Sequence, residues 1–208
     1  MSAETPEERT GLQMEQSTDP LTLFTAWMAD AKASELNDPN AMSLATSTQD
    51  GHPSVRIVLL KRFNANGFAF YTNGDSRKGH ELRANPRAAL CLHWKSLKRQ
   101  VRIEGPLVEL PPEDVDAYFR SRHRMSQIGA WASQQSRPLA SREDLIERTR
   151  EIEVKFPGEI PRPPYWTGFS VQPIRFELWQ ERDFRLHDRF LFERADPSAT
   201  WTKQRLYP

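Results

Sequence analysis

Cysteine is almost absent from this sequence of 208 residues. The single one, Cys91, lies in an apolar run over 88–92, a setting that favours a buried small side chain over a catalytic thiol. An internal disulfide is excluded, because it requires two cysteines. Residues 1–20 are polar and acidic and lack the apolar core of a signal peptide, so we predict a cytoplasmic protein.

Long apolar runs and an excess of charge of one sign are also absent. The run over 57–60 is far shorter than the ~20 residues of a membrane-spanning helix, so we predict no membrane segment. The 29 Lys+Arg nearly balance the 28 Asp+Glu, giving a net charge of +1. This balance does not favour nucleic acid as a partner.

Several motifs that carry common chemistries are missing. The five histidines are scattered without the spacing of paired metal ligands, so we predict no metal site. The sequence has no Gly-x-Gly-x-x-Gly of a dinucleotide fold and no Gly-x-Ser-x-Gly of a hydrolase. A barrel that holds a phosphorylated aromatic cofactor is the interpretation that these absences leave.

The length favours one domain. Residues 1–18 lack any apolar period, so we predict a disordered polar tail, followed by a single domain over 19–208. A helix is predicted from Leu21 to Ala33, where apolar residues recur every three or four positions. Further helices are predicted from Pro111 to about Ser121 and over 141–156, with Ser141 as N-cap.

Strand patterns dominate the rest of the chain. Asp50-Gly51 predicts a tight hairpin between strands over 41–46 and 54–61. Other strands are predicted over 67–72, 87–94, 100–109, 168–180, 184–193 and 200–206. The predicted fold is mainly β with α: a small antiparallel barrel with peripheral helices.

The segment 71–80 has the features of an anion site. A helix that starts near Ser76 would present free N–H groups to a phosphate, and Arg77 and Lys78 would add positive charge. An ordinary solvated helix start remains the alternative, and on this segment alone it is the favoured one.

Arg56 and Lys61 bracket four aliphatic residues in a predicted strand. Alternation places residues five apart on opposite faces, about 17 Å from end to end. The two cations therefore serve two different anions, or a bulge intervenes. The first option suits an enzyme with a phosphorylated cofactor and a phosphorylated substrate.

The segment 179–189 is rich in charged groups. If 184–190 is a strand, then Arg185, His187 and Arg189 share one face. That face is either a ligand wall or the solvated side of an edge strand, and the residues leave both open.

Seven short motifs, taken together, resemble the pyridoxine/pyridoxamine 5'-phosphate oxidase family. They are Arg-Ile-Val-Leu-Leu-Lys (56–61), Phe-Tyr-Thr-Asn (70–73), Ser-Arg-Lys (76–78), Arg-Gln-Val (99–101), Ser-Gln-Ile-Gly-Ala-Trp (126–131), Arg-Leu-His-Asp-Arg (185–189) and Arg-Leu-Tyr-Pro (205–208). The resemblance runs in order from about Asp19 to the last residue. It implies an FMN-binding split β-barrel of antiparallel, Greek-key type, and a homodimer with two FMN sites at the interface.

The resemblance also implies the reaction and the residues. O2 would oxidise pyridoxamine or pyridoxine 5'-phosphate to pyridoxal 5'-phosphate with release of H2O2, and Arg185 and His187 would orient the pyridine ring as catalytic residues. The FMN ligands would be Arg56, Ile57, Val58, Leu59, Leu60, Lys61, Tyr71, Thr72, Arg77, Lys78, Gln100, Gln135, Ser136, Trp179 and Arg189. The substrate ligands would be Lys61, Tyr118, Arg122, Ser126, Arg185, Leu186 and His187.

Two departures and two rivals accompany the resemblance. An Arg-x-x-Tyr lid that family members often carry near the N-terminus has no match in residues 1–18, and His123 and Met125 stand where the family usually has Pro and Asp. One rival is a split-barrel oxidase of phenazine precursors, which would lack the full set of substrate-phosphate ligands. The other is a non-catalytic protein that carries or senses FMN or pyridoxal phosphate.

Overall fold

The structure, a computed structural model, describes the backbone of residues 6–208 and the side chains from residue 10 onward. Its helices are α1 (Pro6–Gln16), α2 (Pro20–Ser34), α3 (Arg77–Ala84), α4 (Pro112–Ser121), α5 (Arg124–Ala132) and α6 (Arg142–Lys155). Its strands are β1 (Ala41–Ser47), β2 (Pro53–Leu59), β3 (Arg62–Asn64), β4 (Gly67–Asn73), β5 (Arg87–Trp94), β6 (Arg99–Glu109), β7 (Trp166–Val171), β8 (Arg175–Gln180), β9 (Asp188–Glu193) and β10 (Thr202–Arg205).

All strand pairings within residues 6–208 are antiparallel. One path runs β10-β9-β8-β6-β5-β1-β2, and a second group joins β3, β4 and β7 to the far end of β6. The long strand β6 belongs to both groups, because its first part pairs with β8 and its last part with β7. This curved antiparallel sheet confirms the predicted split-barrel class.

The predicted hairpin is confirmed. Strands β1 and β2 pair from Ala41 opposite Leu59 to Ser47 opposite Pro53, and Gly51 in the connecting turn has a φ of 89°. Along β1 every second residue is buried. One side of the sheet therefore faces the core, and the other side is the outer face.

Helix α2 packs its apolar stripe against the core side of the sheet. Asp19 caps the helix by accepting hydrogen bonds from the N–H groups of Leu21 and Thr22. Phe24 is fully buried and makes edge-on contacts with Phe63 and Phe68 at centroid distances of 4.8 and 5.0 Å. The predicted helix over 21–33 is thus confirmed, and so are the helices now assigned as α4 and α6, the latter with Ser141 as its N-cap.

A second apolar cluster holds helices α4 and α5 against β4 and β7. Val115 and Phe119 of α4 and Ile128 of α5 are buried there together with Trp166 of β7. Helix α5 was not predicted from the sequence. It matters for function because α4 and α5 form one wall of the site described below.

The sequence prediction of a polar tail over 1–18 is wrong for the part that the structure describes. Residues 6–16 form α1, in which Met14 is fully buried and Thr10 is 3% exposed. Arg99 donates from Nη2 to Thr10 Oγ1 at 2.8 Å, and Lys203 donates from Nζ to the carbonyl of Ser17 at 2.9 Å. Only these two described positions of α1 are buried. Two buried residues, four positions apart, do not produce a recognisable helical pattern in an otherwise polar sequence. The remainder of the predicted tail, 1–5, lies outside the described residues.

Two predicted C-terminal strands also differ from the structure. The run over 168–180 is divided into β7 and β8, because the chain leaves one part of β6 at Val171 and rejoins another at Arg175. At this crossing a Cβ on Gly105 would lie 1.9 Å from the carbonyl oxygen of Gln172, so only glycine fits. The strand predicted over 184–193 begins only at Asp188, because residues 183–185 form a short 3-10 turn.

Among residues 6–208, the longest helices are neither long nor apolar enough to cross a membrane. The chain also offers, in its described part, no group of three His, Cys, Asp or Glu side chains that could hold a metal ion.

The docking of α1 predicts a selective loss of stability. We expect Met14→Ala to lower the free energy of unfolding by about 2 to 4 kcal/mol, because it leaves a cavity in the core. Leu12→Ala, at a position 43% exposed in the same helix, is the matched control and should cost less than about 1 kcal/mol. Urea denaturation measures both values. Equal losses would contradict the packing of Met14 against the barrel.

Candidate active site

A cleft of about 1050 Å³ lies where strand β2 ends the long sheet path. Its walls come from β2, the end of β4, the start of α3 and the α4–α5 pair. The volume is at the upper end of the ~300–1,000 Å³ of small-molecule sites, which leaves room for two ligands.

One end of the cleft is cationic. Arg56 of β2 and Arg77 and Lys78 of α3 line it. Helix α3 begins here as predicted, because the Ser76 hydroxyl accepts a hydrogen bond from the N–H of Gly79. A Cβ on Gly79 would lie 2.2 Å from the carbonyl oxygen of Gly74, so glycine lets the helix start tightly against the turn that follows β4.

Lys78 is held deep in this cationic end, with 9% of its surface exposed. Its Nζ atom donates to Thr72 Oγ1 at 3.1 Å and to Gln135 Oε1 at 2.7 Å. Burial, reinforced by repulsion from Arg56, lowers the pKa of Lys78 to about 8. An anion bound here would restore the preference for the charged amine.

The other end of the cleft is aromatic. The rings of Tyr118, Tyr71 and Trp166 stack, with centroid distances of 4.0 Å for the first pair and 5.4 Å for the second. Arg122 packs its guanidinium 4.9 Å from the centre of the Trp166 ring. Its Nη1 atom is buried and finds no hydrogen-bond acceptor among the described residues. A buried donor without an acceptor is costly, and a bound anion would satisfy it.

The cleft receives both cations of the β2 segment. The N–H of Leu60 bonds to the carbonyl of Asn40, whereas the N–H of Lys61 bonds to the carbonyl of Ala69 in β4. The chain therefore changes partner strand between Leu60 and Lys61, instead of continuing flat. As a result Arg56 and Lys61 both line one cleft, at its cationic and aromatic ends respectively.

Most of the residues predicted to bind ligands line this cleft. They are Arg56, Ile57, Val58, Leu59, Lys61, Tyr71, Thr72, Arg77, Lys78, Tyr118, Arg122, Ser126, Gln135 and Ser136. Leu60 instead packs into the apolar core with 4% of its surface exposed.

The remaining predicted residues form a second group elsewhere on the chain. Gln100, Trp179 and Arg189 lie directly opposite one another on the neighbouring strands β6, β8 and β9. The His187 ring lies 4.7 Å from the ring of Trp179. Arg185 ends the short 3-10 turn before β9, Leu186 follows it, and both residues are exposed.

The loop that carries His187 is fastened at both ends. Arg182 Nε donates to Asp188 Oδ2 at 2.7 Å, and the N–H of Arg182 donates to His187 Nδ1 at 3.1 Å. An accepting Nδ1 leaves Nε2 of a neutral imidazole as the N–H donor. Phe184 and Arg185 have positive φ values of 55° and 64°, a backbone conformation that is uncommon for such residues and is often found at functional sites.

The expected shared face of Arg185, His187 and Arg189 is wrong in its stated form. Arg189 is in β9, but Arg185 and His187 precede the strand. The chain folds back at this turn, and His187 therefore contacts Trp179. Strand alternation alone does not produce this contact.

The two groups of predicted residues point to opposite sides of the sheet. Arg56 is paired with the fully buried Leu44 of β1, so its side chain leaves on the core side. Gln100 precedes the fully buried Val101, so its side chain leaves on the outer face, as do those of Trp179 and Arg189 opposite it. Three strands, β1, β5 and β6, also separate β2 from β8. Within one protomer the two groups cannot meet at one ligand.

Sequence reasoning missed several cleft residues. Ser54 lies on the same side of β2 as Arg56, a placement that strand alternation could have revealed. The other cleft residues that were not predicted are Val55 of β2, Asn73 at the end of β4, Trp166 at the start of β7 and, between these last two strands, His123, Gly129, Ala130 and Ser133.

Two family models match the chain. Residues 28–155 match the model described as pyridoxamine 5'-phosphate oxidase. Residues 166–208 match the model described as the pyridoxine 5'-phosphate oxidase C-terminal dimerisation region. The second match includes Trp179, His187 and Arg189.

Curated relatives carry a consistent name. The chain is 55% identical over 194 residues to the pyridoxine/pyridoxamine 5'-phosphate oxidases of Brucella canis and Brucella abortus strain S19. Each alignment covers 93% of this chain and 96% of the relative.

Solved structures agree with the fold. PhzG from Burkholderia lata, in complex with tetrahydrophenazine-1-carboxylic acid, superposes with a TM-score of 0.88 at 30% identity and covers 100% of this chain and 98% of its own. A pyridoxamine 5'-phosphate oxidase-related, FMN binding protein from Nostoc punctiforme has a TM-score of 0.73 at 18% identity, covering 93% of this chain and 100% of its own. The latter supports the fold alone.

The lowered pKa of Lys78 predicts that phosphate binding weakens as the pH rises through about 8. A phosphate dianion raises the pKa of the amine in the complex, so affinity should fall by up to about tenfold per pH unit between the two pKa values. The measurement is fluorescence titration of the flavin-free protein with FMN, the phosphate monoester implied by the sequence resemblance, from about pH 6.5 to about pH 9.5. Lys78→Arg is the control and should flatten the profile, because arginine stays charged. Constant wild-type affinity over this range would contradict the assignment of Lys78.

Proposed function

The chain belongs to the pyridoxine/pyridoxamine 5'-phosphate oxidase family of oxidoreductases, and we propose that it uses FMN and O2 to make pyridoxal 5'-phosphate. Pyridoxine 5'-phosphate and O2 would give the aldehyde and H2O2, and pyridoxamine 5'-phosphate with O2 and water would give the aldehyde, ammonia and H2O2. The observation that carries the substrate assignment is the buried Nη1 atom of Arg122, which has no acceptor among the described residues. We place the reaction in the cytoplasm, as the sequence suggests.

The cationic end of the cleft fits the phosphate of FMN. Arg56, Arg77 and Lys78 supply positive charge, and the Thr72 hydroxyl beside Lys78 supplies a further polar contact. Val58, which leaves β2 on the same side as Arg56, lines the same cleft and offers an apolar surface to a flavin ring. When bound, FMN would take up two electrons from the substrate and pass them to O2.

The aromatic end fits the phosphate of the substrate. Arg122 and Lys61 bring charge, and Tyr118 and Ser126 bring hydroxyl groups. The stack of Tyr118 on Tyr71 and Trp166 fixes this wall, which supports our proposal that the phosphate ligands are ordered before the substrate arrives. Binding energy taken from the phosphate, remote from the reacting carbon, then orients that carbon for oxidation.

The group around His187 would complete the site from a second protomer. The match to a dimerisation region supports a homodimer and covers this group. The opposite orientation of the two groups supports our proposal that each FMN lies between subunits. His187 would then offer Nε2–H, and Arg185 its charge, to the pyridine ring of the substrate.

The similarity to PhzG favours one alternative function, the oxidation of a phenazine precursor. Two points support the vitamin B6 substrates instead. The identity to the named oxidases is 55%, against 30% for PhzG. The cleft also presents the complete set of proposed substrate-phosphate ligands, which a phenazine precursor without phosphate would not use.

Loss of the Arg122 side chain should remove the preference for phosphorylated substrate. We expect Arg122→Leu to lower kcat/KM for pyridoxamine 5'-phosphate by about 30-fold to 1000-fold, because leucine cannot replace two charge-assisted hydrogen bonds worth roughly 2 to 4 kcal/mol. The rate with unphosphorylated pyridoxamine, which we expect to be low, should change little. Oxygen uptake and aldehyde formation measure both rates.

The control for this experiment is Arg120→Leu, which removes an exposed arginine from the last turn of helix α4, just before Arg122, and should leave both rates unchanged. An equal loss for the two substrates, or loss of the flavin, would assign Arg122 to the fold or to the cofactor. No wild-type oxygen uptake with either phosphorylated substrate, and uptake with a dihydrophenazine carboxylic acid, would favour the alternative.

Mixed dimers test whether each site is shared between subunits. Arg56→Leu and Arg189→Leu chains should each bind FMN poorly alone. After denaturation and refolding together, half of the dimers should be mixed, and each mixed dimer should contain one site with neither substitution. We therefore expect recovery of about a quarter of the wild-type FMN sites by flavin fluorescence.

The matched control pairs Arg56→Leu with Arg77→Leu. Both residues line the cleft of one protomer, so every site in their mixed dimers keeps one defect and binding should stay low. Recovery in this control, or none in the first mixture, would contradict sites composed of two subunits.

A further inference from the structure

Glu81 is a buried carboxylate that lies behind the cationic end of the cleft, in helix α3. Only 5% of the residue is exposed, yet both of its oxygens are fully engaged. Oε2 accepts from Thr46 Oγ1 and Ser54 Oγ, each at 2.5 Å, and lies 3.3 Å from Arg56 Nη2. Oε1 accepts from Arg77 Nε at 2.8 Å.

These contacts keep the carboxylate charged. Burial alone would raise the pKa of Glu81, but the hydrogen bonds from Ser54, Thr46 and Arg77, with the charge of Arg56, lower it to about 2. The group is therefore an anion at neutral pH. Its partners are of particular interest, because Arg56 and Arg77 are both proposed ligands of the cofactor phosphate.

The contacts also restrict the two arginines. Arg56 donates from Nη1 to Thr46 Oγ1 at 2.6 Å and to the carbonyl of Leu44 at 3.1 Å, so Glu81 and Thr46 together hold its guanidinium. Among the described residues Arg77 is anchored through Nε alone, and its side chain is 63% exposed. Anchoring by Nε leaves the terminal nitrogens of Arg77 free to meet an anion in the cleft.

We propose that Glu81 is a positioning residue for the cofactor phosphate: it holds Arg56 and Arg77 in place before FMN binds and acts only through them. This inference rests on the proposed function, because it takes FMN as the ligand. It adds a residue that does not itself contact the ligand and that the motifs of the sequence did not indicate.

Positioning and simple electrostatics predict opposite signs for loss of the Glu81 charge. Arg56, Arg77 and Lys78 carry three positive charges and Glu81 one negative charge, so this end of the cleft has a net charge of +2. If charge alone decided affinity, removal of the anion would strengthen phosphate binding. If the positioning of the arginines decides the affinity, removal of the Glu81 charge weakens phosphate binding. The arginines must then be ordered when the ligand binds, which costs part of the binding energy.

The experiment compares FMN with riboflavin, which has the same ring system and no phosphate. Full-length wild-type and Glu81→Gln proteins, freed of flavin, are titrated with each compound by fluorescence quenching. The NH2 group of the glutamine cannot accept a hydrogen bond, so it would face hydrogen-bond donors on the side where one carboxylate oxygen accepted them. The two arginines should therefore lose their common anchor. We expect FMN affinity to fall at least about tenfold and riboflavin affinity to change less than about twofold.

A second variant guards against a folding defect in the first. Thr46→Val removes one hydroxyl that supports both Glu81 and Arg56 and preserves the shape of the side chain. It should weaken FMN binding in the same direction, by about threefold or more, again without an effect on riboflavin. Glu147→Gln makes the same substitution in the exposed Arg150–Glu147 pair of helix α6 and is the matched control, expected to change neither affinity.

Four results would overturn the inference. Tighter or unchanged FMN binding in Glu81→Gln would show that the residue does not position the arginines. Equal weakening of FMN and riboflavin binding in Glu81→Gln would show a merely structural role. If Glu81→Gln does not fold, an unchanged ratio of FMN to riboflavin affinity in Thr46→Val would decide against the proposal. A wild-type protein that does not prefer FMN to riboflavin would overturn the proposed cofactor as well, which separates that failure from the other three.

Discussion

The alternation of side chains across one antiparallel sheet is the constraint on which the site depends. It sends Arg56 to the core side of β2, where α3 and the α4–α5 pair enclose a cleft, and it sends Trp179 and Arg189 to the outer face. Neither group can be redirected without shifting a strand by one residue, which would also turn core residues outward. A fold that presents one group of candidate ligands on each face suits the proposed pairing with a second copy.

Buried glutamates recur behind the arginines on both faces. Glu81 receives hydrogen bonds from Arg77 and the Ser54 and Thr46 hydroxyls near Arg56, whereas Glu177, 3% exposed, accepts from Arg189 Nε at 2.8 Å and Arg102 Nη1 at 3.0 Å. A buried carboxylate is expensive unless it is fully paired, and each of these is. The arrangement converts flexible arginines into fixed donors, which reduces the entropy that a ligand must overcome on binding.

Local signals in the sequence predicted those parts of the fold that local chemistry controls. Ser141 is an N-cap, Asp50-Gly51 forms the hairpin turn, and Ser76 starts the helix at the cationic end. The predictions failed where a distant contact decides the structure. Helix α1 has few apolar residues, and its place depends on Met14 reaching the core and on Arg99 bonding Thr10. The turn over 183–185 interrupts a strand-like pattern, and the Arg182–Asp188 pair closes the loop that contains it.

The sequence by itself determined the family, the strand-rich class and the identity of most ligand candidates, because these are written in motifs of a few adjacent residues. Tertiary structure alone decided how the candidates are grouped. Arg56 and Lys61 share a cleft because the chain changes partner strand at Leu60, and Arg122 reaches the same cleft because α4 and α5 pack over β4 and β7. The proposed role of Glu81 could be inferred only from the tertiary structure, because it depends on contacts with residues 4 to 35 positions away along the chain. Such contacts depend on the register of strands that are distant in sequence, and a linear pattern does not record that register.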